Sequence, residues 1–216
     1  MVLQTTGAIS ILDIMNEFGL SGTQSLGNLY GITAGVSSIG SIDLNTFYSK
    51  RNFNITSSTL ANDLGAYNMA PWRGTHADTS ARFMWNTAGA AGSANADYVL
   101  YQITYNNTSG ANMSATFYAL ADNVMRAYLN KSLILNDFSP QTWSSVCTVN
   151  CTLLQGKNLF EIVAWNTGSA NPAGLIFYVS SGGTYIMRSD NFSATPLANS
   201  SKTYVAQFGS ANITVS

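Results

Sequence analysis

Charge is the scarcest property of this 216-residue sequence. Asp, Glu, Lys and Arg together make up 9% of the residues, against about 25% in an ordinary globular domain. The formal net charge is -1, and Lys and Arg are not clustered into the basic patch that phosphate backbones require. We therefore predict that the protein does not bind nucleic acid.

Long apolar runs are also lacking. No stretch of the sequence approaches the roughly 18 apolar residues that identify a membrane-spanning helix. The first residues do not combine a basic region with an apolar core, as a secretory signal does. We therefore predict neither a membrane anchor nor an export signal.

Residues that commonly carry catalysis or bind metals are few. The sequence has one histidine, His76, and two glutamates, Glu17 and Glu161. It contains no G-x-S-x-G motif and no glycine-rich phosphate loop, and its aspartates are too dispersed for a calcium loop. Glu161 lies in a strand-like run, where we expect it to face solvent. We predict that the protein is not an enzyme and that it needs no metal or cofactor.

The two cysteines, Cys147 and Cys151, lie four residues apart in the run SSVCTVNCTLL. This spacing is compatible with free buried thiols or with a small local disulfide, and the β-branched Thr148 and Val149 between them favour a strand or a tight hairpin. A zinc site would need further ligands, which the neighbouring sequence does not supply. The sequence leaves these alternatives open.

Short apolar runs separated by turn-forming residues recur from residue 81 onward, and we predict that each run is a β-strand. They are residues 81–86, 98–105, 115–121, 124–129, 159–165, 174–179, 184–188 and 203–208. Many short strands without a long helical period are typical of an antiparallel β-sandwich. We expect the aromatic residues of these runs to be buried between two sheets: Phe83, Trp85, Tyr101, Phe117, Tyr128, Phe160, Trp165 and Phe177.

The order of several motifs within residues 81–179 resembles the galactose-binding-like jelly-roll modules. These motifs are ARFMWN, YVLYQITY, the run ATFYALADNVMRAYLN, the run LLQGKNLFEIVAWN, and AGLIFYV. The resemblance implies an antiparallel jelly-roll β-sandwich over residues 51–216. Modules of this class often bind sugars through loops at one end, so the resemblance makes Trp72, Arg73 and Trp143 candidate glycan contacts. The alternative is that each tryptophan plugs an end of the core.

The first fifty residues contain one phrase in two versions, GAISILDIMNEFG at residues 7–19 and GSIDLNTFYSK at residues 40–50. In the first version, Ser10 can cap a short helix, and Asp13 completes a shortened capping box. Ile11, Ile14, Met15 and Phe18 then share one helical face. So short a helix is marginal in water unless its apolar face is covered.

This opening, LQTTGAISILDI followed later by IDLNTFYSK, resembles the N-terminal segments of structural proteins in the particles of tailed phages and large DNA viruses. The resemblance implies that residues 1–50 form a partly helical attachment segment ahead of the sandwich. It also implies a location in the virion, other virion proteins as partners, and an oligomeric assembly. The candidate assembly residues are Ile11, Ile14, Met15, Phe18, Phe47 and Tyr48. The alternative is an amphipathic hairpin that packs on its own domain.

Three functions remain in competition. The leading hypothesis is a virion structural protein, either a minor capsid, decoration or tail-fibre component, that docks through residues 1–50 and displays a mainly β, jelly-roll sandwich. The second is a carbohydrate-binding receptor-recognition module of a virus. The third is a secreted adhesin or lectin, which would need an export signal that this sequence does not show.

Overall fold

The computed structural model describes residues 10, 13–14, 59–66, 72, 77–96, 98–137, 145–189 and 197–208. Within them the chain forms twelve β-strands. These are β1 (Thr59–Leu60), β2 (Asn62–Ala66), β3 (Arg82–Trp85), β4 (Tyr98–Asn107), β5 (Met113–Asp122), β6 (Val124–Leu129), β7 (Ser132–Asp137), β8 (Cys147–Leu153), β9 (Gly156–Trp165), β10 (Gly174–Ser181), β11 (Thr184–Arg188) and β12 (Tyr204–Phe208).

The strands form two antiparallel sheets. The first sheet has the order β1-β12-β4-β9-β6-β7, and the second has the order β2-β3-β10-β5-β8, with β11 also paired to β10. From β3 to β12 the chain passes repeatedly from one sheet to the other, as it does in a jelly roll. The predicted mainly β, antiparallel jelly-roll β-sandwich is therefore confirmed.

The main core lies between the two sheets and follows the alternation of side chains along each strand. Phe117 of β5 stacks on Phe160 of β9 at a ring-centroid distance of 5.8 Å and on Phe177 of β10 at 6.1 Å. These three rings, with Trp85 and Tyr101, belong to one buried cluster. The prediction is confirmed for these five aromatic residues. The remaining three, Phe83, Tyr128 and Trp165, lie in clusters outside the main core.

The β6–β7 hairpin, whose second strand the sequence analysis does not predict, turns at Asn130 and Lys131. Both residues have positive φ angles, 51° and 68°, as a type I′ turn requires. The Asn130 side chain contributes to holding this turn. Its Nδ2 donates to Asn158 Oδ1 (3.0 Å), and its Oδ1 accepts from the backbone N of Leu159 (2.9 Å).

The predicted capping box is formed. Asp13 Oδ2 accepts hydrogen bonds from the backbone N and the Oγ of Ser10, at 2.9 and 2.6 Å, and the backbone N of Asp13 donates to Ser10 Oγ at 3.1 Å. These bonds lower the pKa of the Asp13 carboxyl. The backbone N of Ile14 donates to the carbonyl of Ser10, as in an α-helix. Among the described residues, no helix is long and apolar enough to cross a membrane.

Candidate functional site

A concave groove of about 670 Å³ lies on the outer face of the second sheet. It is lined by residues of β5 and β8, most of whose side chains point away from the main core, together with the end of β10 and the β10–β11 turn. The lining residues are Ser114, Ala115, Thr116, Tyr118, Asn150, Cys151, Thr152 and residues 180–183. We call this feature the polar groove. None of these lining residues is charged at neutral pH.

Cross-strand register brings the polar groups of the groove together. Thr116 of β5 lies opposite Asn150 of β8 on one side and Ser180 of β10 on the other. The Oγ1 of Thr116 donates to Asn150 Oδ1 at 3.0 Å, and the Oγ of Ser181 donates to the carbonyl of Ser114 at 2.7 Å. The groove therefore presents a partly pre-organised set of neutral hydrogen-bonding groups.

Three tyrosines adjoin the polar groups. Tyr118 of the groove stacks on Tyr178 with ring centroids 4.3 Å apart and an interplanar angle of 11°. Tyr185 meets Tyr178 edge to face at 5.3 Å, and its side chain is exposed. Burial, together with the neighbouring Tyr118, Tyr185 and Asp78, raises the pKa of Tyr178 to about 12. Tyr178 is thus un-ionised at neutral pH, and the three tyrosines give the groove an aromatic border.

The polar groove occupies one half of the outer face of the second sheet. Trp72 covers the other half and is not placed to contact a glycan. Its side chain is only 1% exposed and stacks on Phe83 with ring centroids 4.4 Å apart. The Nε1 of Trp72 donates to Asp122 Oδ2 at 2.8 Å. The alternative prediction, that the tryptophan is buried for structural reasons, therefore holds for Trp72. The other two candidate glycan contacts, Arg73 and Trp143, lie outside the described residues.

The cysteine pair does not form a disulfide. Cys147 and Cys151 are both thiols on β8, with side chains turned toward the main core. Four residues along a strand separate two Cα atoms by about 13 Å, beyond the roughly 7 Å limit for a disulfide. Burial raises the pKa of the Cys151 thiol to about 11.

The outer face of the first sheet differs in that part of it, at one end of β4 and β9, is buried. Tyr98, Leu100, Tyr128 and Val163 form a buried cluster with Leu133 and Trp165, which we call the outer apolar cluster. The expectation that Glu161 faces solvent is wrong. Its side chain is 0% exposed beside this cluster, and its Oε1 accepts from Lys131 Nζ at 2.7 Å and from Gln102 Nε2 at 2.8 Å.

The candidate assembly residues are described only in part. Ile14 is fully buried, whereas Ile11, Met15, Phe18, Phe47 and Tyr48 lie outside the described residues. The assembly role of this set therefore stays a prediction. Within the part of the chain that the structure describes, no group of three or more His, Cys, Asp and Glu side chains is arranged to hold a metal ion.

Comparisons with known proteins give remote structural similarities. No protein-family model and no curated protein matches the sequence. The α-L-rhamnosidase of Streptomyces avermitilis, solved with L-rhamnose, is 18% identical with a TM-score of 0.46, over 70% of this chain and 14% of that one. The Pleurotus ostreatus lectin, solved with GalNAc, is 18% identical with a TM-score of 0.42, over 71% of this chain and 38% of that one.

A family 35 carbohydrate-binding module from an environmental isolate is 19% identical with a TM-score of 0.21, over 62% of this chain and 93% of that one. The chain thus spans well under two thirds of the length of the rhamnosidase and of the lectin. TM-scores below 0.5 do not establish a common fold. The assignment of the jelly-roll sandwich therefore depends on its own strand order and register.

Proposed function

We propose that the β-sandwich is a carbohydrate-recognition module and that the protein carries it on a virus particle. The observation that supports recognition of a carbohydrate is the polar groove, a concave surface with neutral hydrogen-bonding groups and an aromatic border. Pockets for small ligands generally combine a concave shape with a few placed polar groups.

The chemistry of the groove suits a neutral sugar. Sugar hydroxyls both donate and accept hydrogen bonds, and the hydroxyl and amide side chains of Thr116, Asn150 and Ser180 can do the same. The apolar C–H face of a sugar ring can pack against an aromatic side chain such as Tyr185, which is 37% exposed. A ligand with a large net charge would find no countercharge among the described lining residues.

The proposal assigns no catalytic role to the groove. Its described lining side chains include no carboxylate and no histidine that could act as a general acid or base. The one cysteine of the lining, Cys151, turns its side chain toward the main core, and burial raises the pKa of its thiol to about 11, so the thiol is protonated at neutral pH. A protonated thiol is a poor nucleophile.

A glycan array followed by titration calorimetry tests the carbohydrate proposal. We expect binding to one or more neutral oligosaccharides in preference to sulfated or sialylated ones. Asn150→Ala should weaken that binding about tenfold, the effect of losing roughly 1.4 kcal/mol of hydrogen bonding. The matched control is Asn106→Ala, which removes an exposed amide from β4 of the other sheet. An array without signal, or equal losses in both variants, would contradict the proposal.

The particle location is supported by a different part of the chain. Residues 1–50 resemble virion attachment segments, and the capping box between Ser10 and Asp13, which that segment was predicted to contain, is formed. Mass spectrometry of purified particles from the source of this sequence tests the location. A fixed copy number per particle is expected, and absence from intact, washed particles would exclude a structural role in the virion.

A further inference from the structure

The strand β8 lies at one edge of the second sheet, and β5 is the only described strand that is paired with it. In an edge strand, every second residue directs its backbone N–H and C=O groups away from the sheet. Such a row of backbone groups is a template for pairing with another strand, and natural proteins usually protect it. The protection of β8 can therefore be compared with that of the other described edges.

The other described edge strands carry features that oppose pairing, whereas β8 does not. β1 has only two residues. In β2, β7 and β11 the register shifts by one extra residue on the edge strand, which forms a β-bulge at Leu64, Ile134 and Ile186. Each of these three strands also holds a charged residue, namely Asp63, Asp137 and Arg188. β8 pairs with β5 in unbroken register over all seven of its residues and has no charged side chain. Because short length, bulges and charges are what block edge-to-edge association, β8 is the described edge best suited to it.

The sequence of β8 is complementary to itself about Asn150, because residues 148–152 read Thr-Val-Asn-Cys-Thr. In an antiparallel pair with a two-fold axis at Asn150, the two copies of Asn150 face each other. Thr148 then faces Thr152 of the second copy, and Val149 faces Cys151 of the second copy. Directly opposite residues share one face of a sheet, and threonine pairs of this kind are stabilising. The threonines therefore meet on the outer face and the apolar side chains on the inner one.

The inner side chains of β8 gain burial from such a pair. Val149 and Cys151 pack against the main core but are only half-buried, so a second copy across the edge removes further apolar surface from water. The outer side chains, Thr148, Asn150 and Thr152, are exposed and uncharged, so no repulsion opposes the approach of two identical strands. A strand of unrelated sequence could use the same backbone groups but would not match this alternation. The pattern therefore favours a second copy of the same strand.

We propose that β8 pairs with β8 of a second copy of this protein around a two-fold axis at Asn150, which joins the second sheets of the two copies into one. The polar groove is lined in part by Asn150, Cys151 and Thr152 of the same strand, so the pairing places two grooves side by side at the axis. Two adjacent grooves bind an extended or branched glycan more tightly than either groove alone. That consequence rests on the proposed function, whereas the pairing itself does not.

Disulfide crosslinking in the full-length protein tests the pairing and its register. Cys147 and Cys151 are replaced by alanine, and an Asn150→Cys variant of this background is oxidised without any glycan. Opposite Cα atoms of an antiparallel pair lie about 4.5–5.5 Å apart, within reach of a disulfide, so we expect a covalent dimer on a non-reducing gel. The matched control is Thr148→Cys, also exposed, which in this register lies about 13 Å from its own counterpart and should give little dimer. An equimolar mixture of Thr148→Cys and Thr152→Cys should crosslink again.

The absence of a covalent dimer from Asn150→Cys would overturn the inference, and equal yields from Asn150→Cys and Thr148→Cys would reduce it to random collision. If the alanine background does not fold, analytical ultracentrifugation of Asn150→Lys in the otherwise native chain provides a second measurement.

Asn150→Lys places two ammonium groups opposite each other at the axis. Like charges in that position are unfavourable, so the dissociation constant of the dimer should rise about tenfold or more. The control is Asn106→Lys, an exposed residue on β4 of the first sheet, and equal dissociation constants in the two variants would contradict the pairing. Neither measurement uses a glycan, so a glycan array without signal would leave both outcomes unchanged.

Discussion

The outer faces of the two sheets are built from similar residues but differ in their exposure to solvent. Each carries a nearly parallel aromatic stack, Tyr98 on Trp165 at 5.0 Å in the first sheet and Tyr118 on Tyr178 at 4.3 Å in the second. Around the first stack the face is apolar and covered. Around the second it opens into the polar groove. An aromatic pair on a strand is therefore not by itself evidence of a binding surface.

The outer face of the second sheet also has two different halves. One half is closed by Trp72, which packs with Phe83, Leu120 and Ile176 in a small buried cluster. The other half carries the hydroxyl and amide groups of the polar groove. The polar groove thus occupies about half of this face, and the other half is closed by the cluster around Trp72.

The largest expected effects are in the main core that the two sheets share. Phe117→Ala and Phe160→Ala each remove a fully buried ring from opposite sheets, and we expect each to lower the free energy of unfolding by about 3–5 kcal/mol. Denaturant unfolding measures both. A loss below about 1 kcal/mol at both positions would show that the inner and outer faces have been interchanged.

An ion pair on each sheet tests the difference in burial. Lys131→Met removes the ammonium group 2.7 Å from the fully buried carboxylate of Glu161, and we expect a loss of about 3 kcal/mol. The control is Arg82→Met in the second sheet. Its partner is Asp63, and because both side chains are partly exposed, at 31% and 22%, a loss below about 1 kcal/mol is expected. Equal losses would remove the distinction between a covered and an open face.

The closed half of the second sheet can be tested at a glycine. A Cβ atom at Gly174 would lie 2.7 Å from Cη2 of Trp72 and 3.2 Å from Cδ1 of Phe83. We expect Gly174→Ala to displace the indole and to lower the unfolding free energy by roughly 1–3 kcal/mol. The control, Gly89→Ala, places its Cβ where no atom lies within 4 Å. Unchanged stability and tryptophan fluorescence in Gly174→Ala would contradict this packing.

Strand positions could be predicted well from the sequence, and some ends agree with the structure. The predicted runs 124–129 and 184–188 coincide with β6 and β11, because each is a short β-prone run bounded by turn residues. The strand β7 was not predicted. Its hairpin turns at Asn130 and Lys131. Lys131 has a positive φ at a position where a glycine normally signals such a turn. The short β1 and β2 carry too few apolar residues to show a period.

The location of the site could not be predicted, because it depends on contacts between distant parts of the chain. Period-two alternation separates two faces of a strand but does not identify which elements lie over the outer one. Trp72 was a candidate glycan contact until its pairing with Asp122, fifty residues away, placed it inside. Glu161 was expected to face solvent because the sequence does not show that Gln102 and Lys131, which are distant along the chain, lie beside its carboxylate. The groove residues Thr116 and Asn150 are common residue types whose significance comes only from cross-strand register.

The tyrosine cluster of the second sheet gives a pH-dependent test. The pKa of Tyr178 is raised to about 12, so the folded state retains this phenolic proton above the ordinary pKa of about 10. Between these values the unfolded state binds fewer protons, and the stability contributed by this group falls as the pH rises. Ultraviolet titration should show late tyrosinate ionisation, and Tyr178→Phe should remove the part that Tyr178 contributes, while Tyr98 and Tyr101, whose pKa values burial also raises, still ionise late. A titration curve unchanged in that variant would contradict the assignment.

The smallest expected effect concerns salt. The described lining residues of the polar groove carry no charge at neutral pH, so glycan binding should involve few ion pairs for salt to screen. We expect the dissociation constant measured by calorimetry to change less than about twofold between low and high ionic strength, because each tenfold change needs about 1.4 kcal/mol. A nucleic-acid or sulfated ligand would instead lose affinity steeply as salt is added. A tenfold loss would contradict the neutral character assigned to the polar groove of the second sheet.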